Sequence, residues 1–300
     1  MQIPKSLRET IIRVDGARGQ QWLEALPALI SECCERWSLQ LDEPFENLSY
    51  HLVLPGRDSS GQEIVLKVGV PGREILTEAS ALRLFAGVGA VRLLETDAPR
   101  GILLMERLTP GPPLLQLPSD MTATDTAAVL MLRLWHTAPA EHSFPALVVW
   151  FHAFARLRDR FDGGSGPFPP ELIAKAERVF TELNTSSDGE VLLHGDLHHA
   201  NILFSASSGW VAIDPKGICG DPGYEISSCM LNGLPAEAQD AVIRKVFSRR
   251  LSIFSDELQI SRERLAGWAF CHAVLSAVWD FEESSDPVAT IRLARIMERL

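Results

Sequence analysis

The 300-residue sequence is short of basic side chains: 28 Lys and Arg stand against 39 Asp and Glu, a formal net charge of −11. A surface that binds nucleic acid needs a basic stripe to displace counterions from phosphates, so nucleic acid is not expected as a partner. Cysteine is scarce as well. Cys33, Cys34, Cys219, Cys229 and Cys271 form an odd, irregularly spaced set rather than a disulfide framework, and a reduced, cytoplasmic setting is expected. The opening MQIPKSLRETIIRVDG lacks the apolar centre of a secretory leader. The longest strongly apolar stretch, Trp268 to Trp279, carries His272 and Ser276 and stops at Asp280, well short of the ~20 residues a membrane span requires, so no membrane is expected either. What the chain does have is 46% hydrophobic residues, ample for a core, which argues against disorder and for one large domain or two lobes.

Periodicity divides the chain. Residues 18–37 place Trp22, Leu26, Leu29, Ile30, Cys33 and Trp37 three and four apart, as on one helix face, with Pro27 either kinking that helix or marking its start. LSYHLVLPG and QEIVLKVGV are β-rich runs joined by a hairpin-like connection, Gly56 to Gly61. Arg73 to Phe85 reads as a helix ended by Gly87 and Gly89, and AVRLLET and GILLMERL are two more strand candidates around a turn at 97–101. Strand, strand, helix, strand, strand makes a small α+β lobe of about residues 40–107. From Thr109 the character changes: Pro110-Gly111-Pro112-Pro113 reads as a connector, and helices are expected at 122–137, 147–161, 170–184, 222–232, 236–254, 262–281 and 287–299. Between the third and fourth of these, VLLHG, NILFS and WVAID suit short strands joined by functional loops. The expected division is therefore an N-terminal lobe over 1–108 and a mainly helical C-terminal lobe over 109–300.

The chemistry concentrates in residues 191–225, VLLHGDLHHANILFSASSGWVAIDPKGICGDPGYE. Asn201 follows the Asp of His194-Gly195-Asp196 by five residues, and Asp214 ends an apolar run. A lone loop Asp is usually a turn former or helix cap. Phosphoryl transfer, however, needs a carboxylate to orient or deprotonate the attacking hydroxyl and oxygen ligands for Mg²⁺, and these three residues supply both. Their spacing matches the protein-kinase catalytic loop H-R-D-x-x-x-x-N and its later D-F-G, with Gly195 in place of the Arg and Asp214-Pro215-Lys216-Gly217 at the metal motif.

HGDLHHANIL, AIDPKG and the following DPGYE together resemble the aminoglycoside phosphotransferase superfamily. The Asp-Pro-Lys-Gly form resembles its branch of aminoglycoside/hydroxyurea resistance kinases, which includes streptomycin 6-phosphotransferases. The likeness extends, more weakly, over most of the chain. It implies a protein-kinase-like two-lobed α+β fold with a small β-rich N-lobe and a mainly helical C-lobe. ATP and Mg²⁺ would bind between the lobes, and the γ-phosphoryl group would pass to a hydroxyl of a small molecule. By the same resemblance Asp196 is the catalytic base, Asn201 and Asp214 hold the metal, and Glu225 braces the catalytic loop. His194 is expected to orient the loop through a backbone hydrogen bond, while His198 and His199 are either satisfied loop histidines or neighbours of the phosphates. A zinc hydrolase is a competing reading of His194 and His198, four apart, but Gly195-Asp196 replaces the Glu of H-E-x-x-H and glycine weakens any helix there.

A kinase also needs a cation on the α/β phosphates and an acid that positions it. Lys67 lies within the otherwise apolar run Ile64, Val65, Leu66 and Val68, which demands a reason. Glu78 on the following helix is its expected partner, with Glu74 one turn earlier as the rival. In ILLMERLTPGPP, backbone groups of Glu106 and Leu108 are expected to pair with adenine and Met105 to sit behind it. No G-x-G-x-x-G precedes Lys67, only Asn47-Leu48-Ser49-Tyr50, so other donors must cover the phosphates, and Ser49 is a candidate. Lys216 either reaches the transferred phosphate or is solvated. In SAVWDFEESSD, the acids Asp280, Glu282, Glu283 and Asp286 suit a cationic acceptor, the alternative being a solvated helix end; Trp268 and Trp279 are pocket wall or core. The acceptor expected is streptomycin-like, with hydroxyurea, an amino sugar or another small alcohol as alternatives. A non-catalytic ATP-binding module is the alternative of a different class.

Overall fold

The computed structural model describes residues 3–46, 48–187, 189–234 and 238–300. The chain divides into two compact units, residues 1–109 and 110–300.

In the first unit, β1 (Gln40–Leu41), β2 (Leu52–Arg57), β3 (Glu63–Val68), β4 (Leu93–Asp97) and β5 (Ile102–Glu106) form an antiparallel sheet in the order β1-β2-β3-β5-β4. Alternation along the strands sends Leu52, Leu54, Ile64, Leu66, Val68, Ile102 and Leu104 into one core with Trp22, Leu23, Leu26, Ile30 and Cys33 of α1 (Lys5–Trp37). That helix begins well before the expected residue 18, because the chain continues through Gly16 at φ 55°, a turn that only glycine makes cheaply. Leu7 and Ile11 of the extra segment are buried in the same core. Pro27, expected to kink or start the helix, does neither: the only interior break is at Gly16. The helix α2 (Arg73–Phe85) buries Ile75, Glu78, Ala79, Leu82 and Phe85.

In the second unit, Pro110–Pro113 is not a plain connector but strand β6, paired at the edge of a sheet with β8 (Ile202–Ser205), which pairs in turn with β9 (Gly209–Ala212). An edge position is where a strand tolerates proline, which has no N–H for a ladder. A second pair joins β7 (Val191–Leu193) to β10 (Ile218–Gly220). Around these ribbons stand α3 (Asp120–Leu134), α4 (Val148–Arg160), α5 (Pro170–Thr185), α6 (Ile226–Leu231), α7 (Asp240–Leu258), α8 (Arg262–Glu282) and α9 (Val288–Met297). The helix expected over 222–232 is divided, a 3₁₀ turn at Pro222–Glu225 leading into α6, and residues 236 and 237 of another expected helix lie outside the described residues. The middle of α8, Trp268 to Leu275, is buried on all sides, and α4, α5, α6, α7 and α9 pack against this helix. Among the described residues no helix is long and apolar enough to cross a membrane.

Candidate active site

In the first unit Lys67 points to the face of β3 opposite Leu66, across from Val53 and Leu103. Its Nζ donates to both oxygens of Glu78, at 2.7 and 2.8 Å, and each side chain is only 3% exposed. Glu74 is exposed. A buried ammonium chelated in this way is held in one place on the sheet. At the end of β5 the Glu106 amide donates to Arg92 O at 3.0 Å, and the Glu106 carboxylate accepts the Arg92 amide at 2.9 Å. The Glu106 N–H is therefore committed to the sheet and cannot pair with a base. Met105 is buried, Leu108 is half-buried beyond the strand and Ser49 is exposed in a bend; Asn47 lies outside the described residues.

In the second unit His194 to Asn201 form the loop between β7 and β8. Glu225, fully buried, accepts the amides of His194 at 2.7 Å and Gly195 at 2.8 Å. Gly195 has φ +84°, and a Cβ there would meet Trp150 Cη2 at 3.0 Å and Ile218 Cγ2 at 3.1 Å, so the arginine of the protein-kinase pattern would be strained in this position. The His194 ring spans the loop: Nε2–H donates to Ile213 O at 2.8 Å and Nδ1 accepts the Asp196 amide at 3.2 Å. Both ring nitrogens are thus engaged, which removes His194 as a zinc ligand. The described residues contain no cluster of three His, Cys, Asp or Glu that could hold a metal ion by themselves. Asn201 Nδ2 donates to Asp196 O at 2.9 Å. Asp214, just past β9, adopts φ 60°, a left-handed conformation unusual for a non-glycine residue and of the kind that accumulates at functional sites. Lys216 is half-buried, and its amide donates to His194 O at 2.7 Å. An amide oxygen and a carboxylate are the hard donors that Mg²⁺ prefers, so Asn201 and Asp214 fit that ion.

Burial dominates the electrostatics of the loop. It raises the Asp196 carboxyl against the opposing pull of His198, Lys216 and the Ser228 hydroxyl, and it lifts Glu225 to about 7 despite the two amides. It depresses His194 and His199 to about 4, so both rings are neutral. The Asp196 side chain nevertheless keeps 36% exposure, enough to meet a substrate. His198 Nε2 is 4.0 Å from Asp196 Oδ1, whereas neither nitrogen of buried His199 finds a partner among the described residues.

Behind the loop lies an aromatic layer. Tyr224 donates its hydroxyl to His272 Nδ1 at 2.6 Å, and Trp268 its indole N–H to Asp221 at 3.0 Å. Trp268 is core, whereas Trp150 and Trp279, edge to face at 5.6 Å, are only half-buried, and Trp150 stands over Gly195. Burial lowers His272 from 6.5 to about 4. Between those values the unfolded chain binds a proton that the folded chain refuses, so stability should fall as pH drops from about 6.5 towards 4, by up to ~1.4 kcal/mol per pH unit for this group. His272→Asn, whose Oδ1 stands where Nδ1 accepts from Tyr224, should lessen the fall of the melting temperature with pH in that window, the remaining slope coming from His194 and His199. Parallel wild-type and variant curves would contradict it.

Of the acids expected to meet an acceptor, Glu282 forms a two-point ion pair with Arg156, at 2.9 and 2.8 Å, and Asp280 accepts the Thr290 hydroxyl at 2.6 Å. Glu283 follows the end of α8. Glu282 thus already has a cation partner on α4. Residues 228, 229 and 150 were missed by sequence reasoning. The first two could have been found, since three and four residues after Glu225 they share its helix face.

The protein-family model described as aminoglycoside/hydroxyurea antibiotic resistance kinase matches residues 36–284. Streptomycin 6-kinase of Streptomyces griseus is 29% identical over 98% of this chain and 95% of its own. Hydroxyurea phosphotransferase of Kitasatospora aureofaciens is 34% identical over 94% and 81%. Among solved structures, an aminoglycoside phosphotransferase crystallised with ADP and hygromycin B superposes with a TM-score of 0.61 at 13% identity, covering 89% of this chain and 97% of that one, which shows a protein-kinase-like fold. The chain therefore belongs to the aminoglycoside/hydroxyurea antibiotic resistance kinase family and is a phosphotransferase that acts on hydroxyl groups.

Proposed function

We propose that this enzyme transfers the γ-phosphoryl group of ATP, with Mg²⁺, to a hydroxyl of a streptomycin-like aminoglycoside. The observation that carries the reading is the catalytic loop: Glu225 pins its first two amides, Asn201 ties its backbone, and Asp196 is left partly exposed between them. Asp196 would accept a hydrogen bond from the acceptor hydroxyl, align it and take its proton as the new P–O bond forms. Asn201 Oδ1 and the Asp214 carboxylate would hold Mg²⁺. When bound, that ion offsets charge on the phosphate oxygens. Lys67, fixed by Glu78, would bind the α/β phosphates, and Lys216 and Ser49 would add donors to them. The Glu106 carbonyl and the Leu108 amide would pair with adenine, with Met105 behind the base.

The acceptor would lie beside Asp196 against the half-buried rings of Trp150 and Trp279, which suit a cationic sugar through cation–π contact. Asp280 and Glu283 would supply negative charge. Glu282 would act through Arg156, with which it is paired. The streptomycin 6-kinase relatives favour this acceptor; the hydroxyurea phosphotransferase relative favours hydroxyurea as the second reading.

The test is ADP release from ATP and Mg²⁺ with streptomycin, other aminoglycosides, amino sugars and hydroxyurea, with mass analysis of the product. Turnover with streptomycin and a product heavier by one phosphoryl group is expected. Turnover with hydroxyurea alone would replace the acceptor, and ATP binding without turnover on any of them would make the chain a binding module.

A further inference from the structure

Segment 225–233 runs beside the catalytic loop almost residue for residue. Glu225 takes the amides of His194 and Gly195, and the Ser228 hydroxyl lies against the Asp196 carboxylate. Cys229 Sγ donates to Leu197 O at 2.8 Å, and Gly233 passes so close to His199 that a Cβ there would meet Nδ1 at 3.2 Å. These contacts orient the loop only if the segment itself is fixed. Its helix, α6, has six residues, too few to be stable alone, and its last carbonyls lack helical partners.

Arg250 of α7 satisfies them. The side chain is 1% exposed, and Nη1 donates to Cys229 O at 2.6 Å and Asn232 O at 2.7 Å, while Nη2 reaches Gly233 O at 3.3 Å. The fork is closed on its other side by Asp120 Oδ1, the first residue of α3, at 2.9 Å from Nε and 2.6 Å from Nη2. Arg249 holds the second Asp120 oxygen at 2.6 Å. Burial pushes the Asp120 carboxyl up, but its two arginines more than reverse that and keep it charged. A cation at a helix C-terminus also matches the helix dipole, and only a planar guanidinium can serve these carbonyls and a carboxylate at once.

We propose that Arg250 is a positioning residue for phosphoryl transfer: by capping α6 it fixes segment 225–233 against residues 194–199 and so sets the orientation of the Asp196 carboxylate. The proposal rests on the reading of Asp196 as the base. It touches no substrate, and its effect passes through Cys229, Ser228 and Leu197.

The test measures kcat and both KM values with ATP and streptomycin, or with whichever member of the acceptor panel the wild type phosphorylates. Arg250→Lys keeps the charge and removes the fork. It should fold, lose about tenfold or more in kcat, and leave both KM values within about threefold, because misplacing a reactive group impairs the chemical step more than binding. Cys229→Ala cuts the contact at the loop end and should lower kcat about fivefold, with Cys229→Ser, again a donor, restoring most of it. Leu258→Ala, a core truncation elsewhere on α7, should lower the melting temperature and leave kcat unchanged. Arg250→Lys with kcat within twofold of wild type overturns the proposal, as does a Leu258→Ala variant that loses as much kcat for the same loss of stability. If Arg250→Lys does not fold, the Cys229 pair decides: unchanged kcat in Cys229→Ala overturns it. Asp196→Asn separates the two readings, since an active Asp196→Asn removes the base itself, whereas an inactive one beside a normal Arg250→Lys removes only the role given to Arg250.

Discussion

Asp196→Asn is expected to lower kcat by about 10³-fold while KM for ATP changes less than threefold and the fold is kept. The asparagine has the shape of the native side chain and can still accept from Ser228, but it cannot take a proton from the acceptor hydroxyl. That fold-change corresponds to ~4 kcal/mol of transition-state stabilisation. Stability should move the other way. Burial raises the Asp196 carboxyl, meaning that the folded chain disfavours its charged form, so a neutral residue there should melt at the same temperature or higher. An inactive variant at least as stable as wild type is the combined signature. More than about a tenth of wild-type kcat in a folded Asp196→Asn would remove Asp196 as the base.

The second large effect concerns Lys67 and Glu78. Lys67→Met leaves the Glu78 carboxylate buried without its ammonium, and should destabilise the protein by ~3–5 kcal/mol in denaturant unfolding. Most of that loss comes from keeping a carboxylate charge buried rather than from the missing attraction. The double variant Lys67→Met/Glu78→Leu should therefore recover to within ~1 kcal/mol of wild type or exceed it, as when a buried pair gives way to apolar side chains of similar size. Catalysis should not recover, because the cation that would bind the α/β phosphates is gone. A double variant as unstable as the single would refute the account of the pair. A double variant that is stable and fully active would show that Lys67 serves the sheet and not the nucleotide.

The parts of the fold and site legible in the sequence share one property: their causes lie close together along the chain. Lys67 announced itself by interrupting an apolar strand, and the partner on α2 lies only eleven residues away. The His194 to Asn201 loop was readable because one short loop fixes its spacing. Arg250 was not, since in IRKVFSRRLS it looks like any basic residue of an amphipathic helix; its partner Asp120 lies 130 residues back. The same distance hid the role of Glu282, whose acidic neighbours suggested a patch for a ligand while Arg156, 126 residues earlier, already holds it. The start of α1 lies outside the helical spacing of residues 18–37, because Gly16 interrupts the helix at φ 55° and the segment before it buries only Leu7 and Ile11. Pro110 to Pro113 were misread for the opposite reason: proline composition signals a break unless it is known which side of the strand needs donors.

That proline-rich strand bears on how the protein behaves in concentrated solution. An exposed sheet edge invites a strand from another molecule, because a row of free N–H groups can template it. Three of the four residues of β6 have no N–H to offer. The sheet next to the catalytic loop is thus closed on that side to strand exchange. Replacing Pro112 or Pro113 with a β-branched residue would restore an N–H to this edge strand, and the expected result is a greater tendency to self-associate at high concentration.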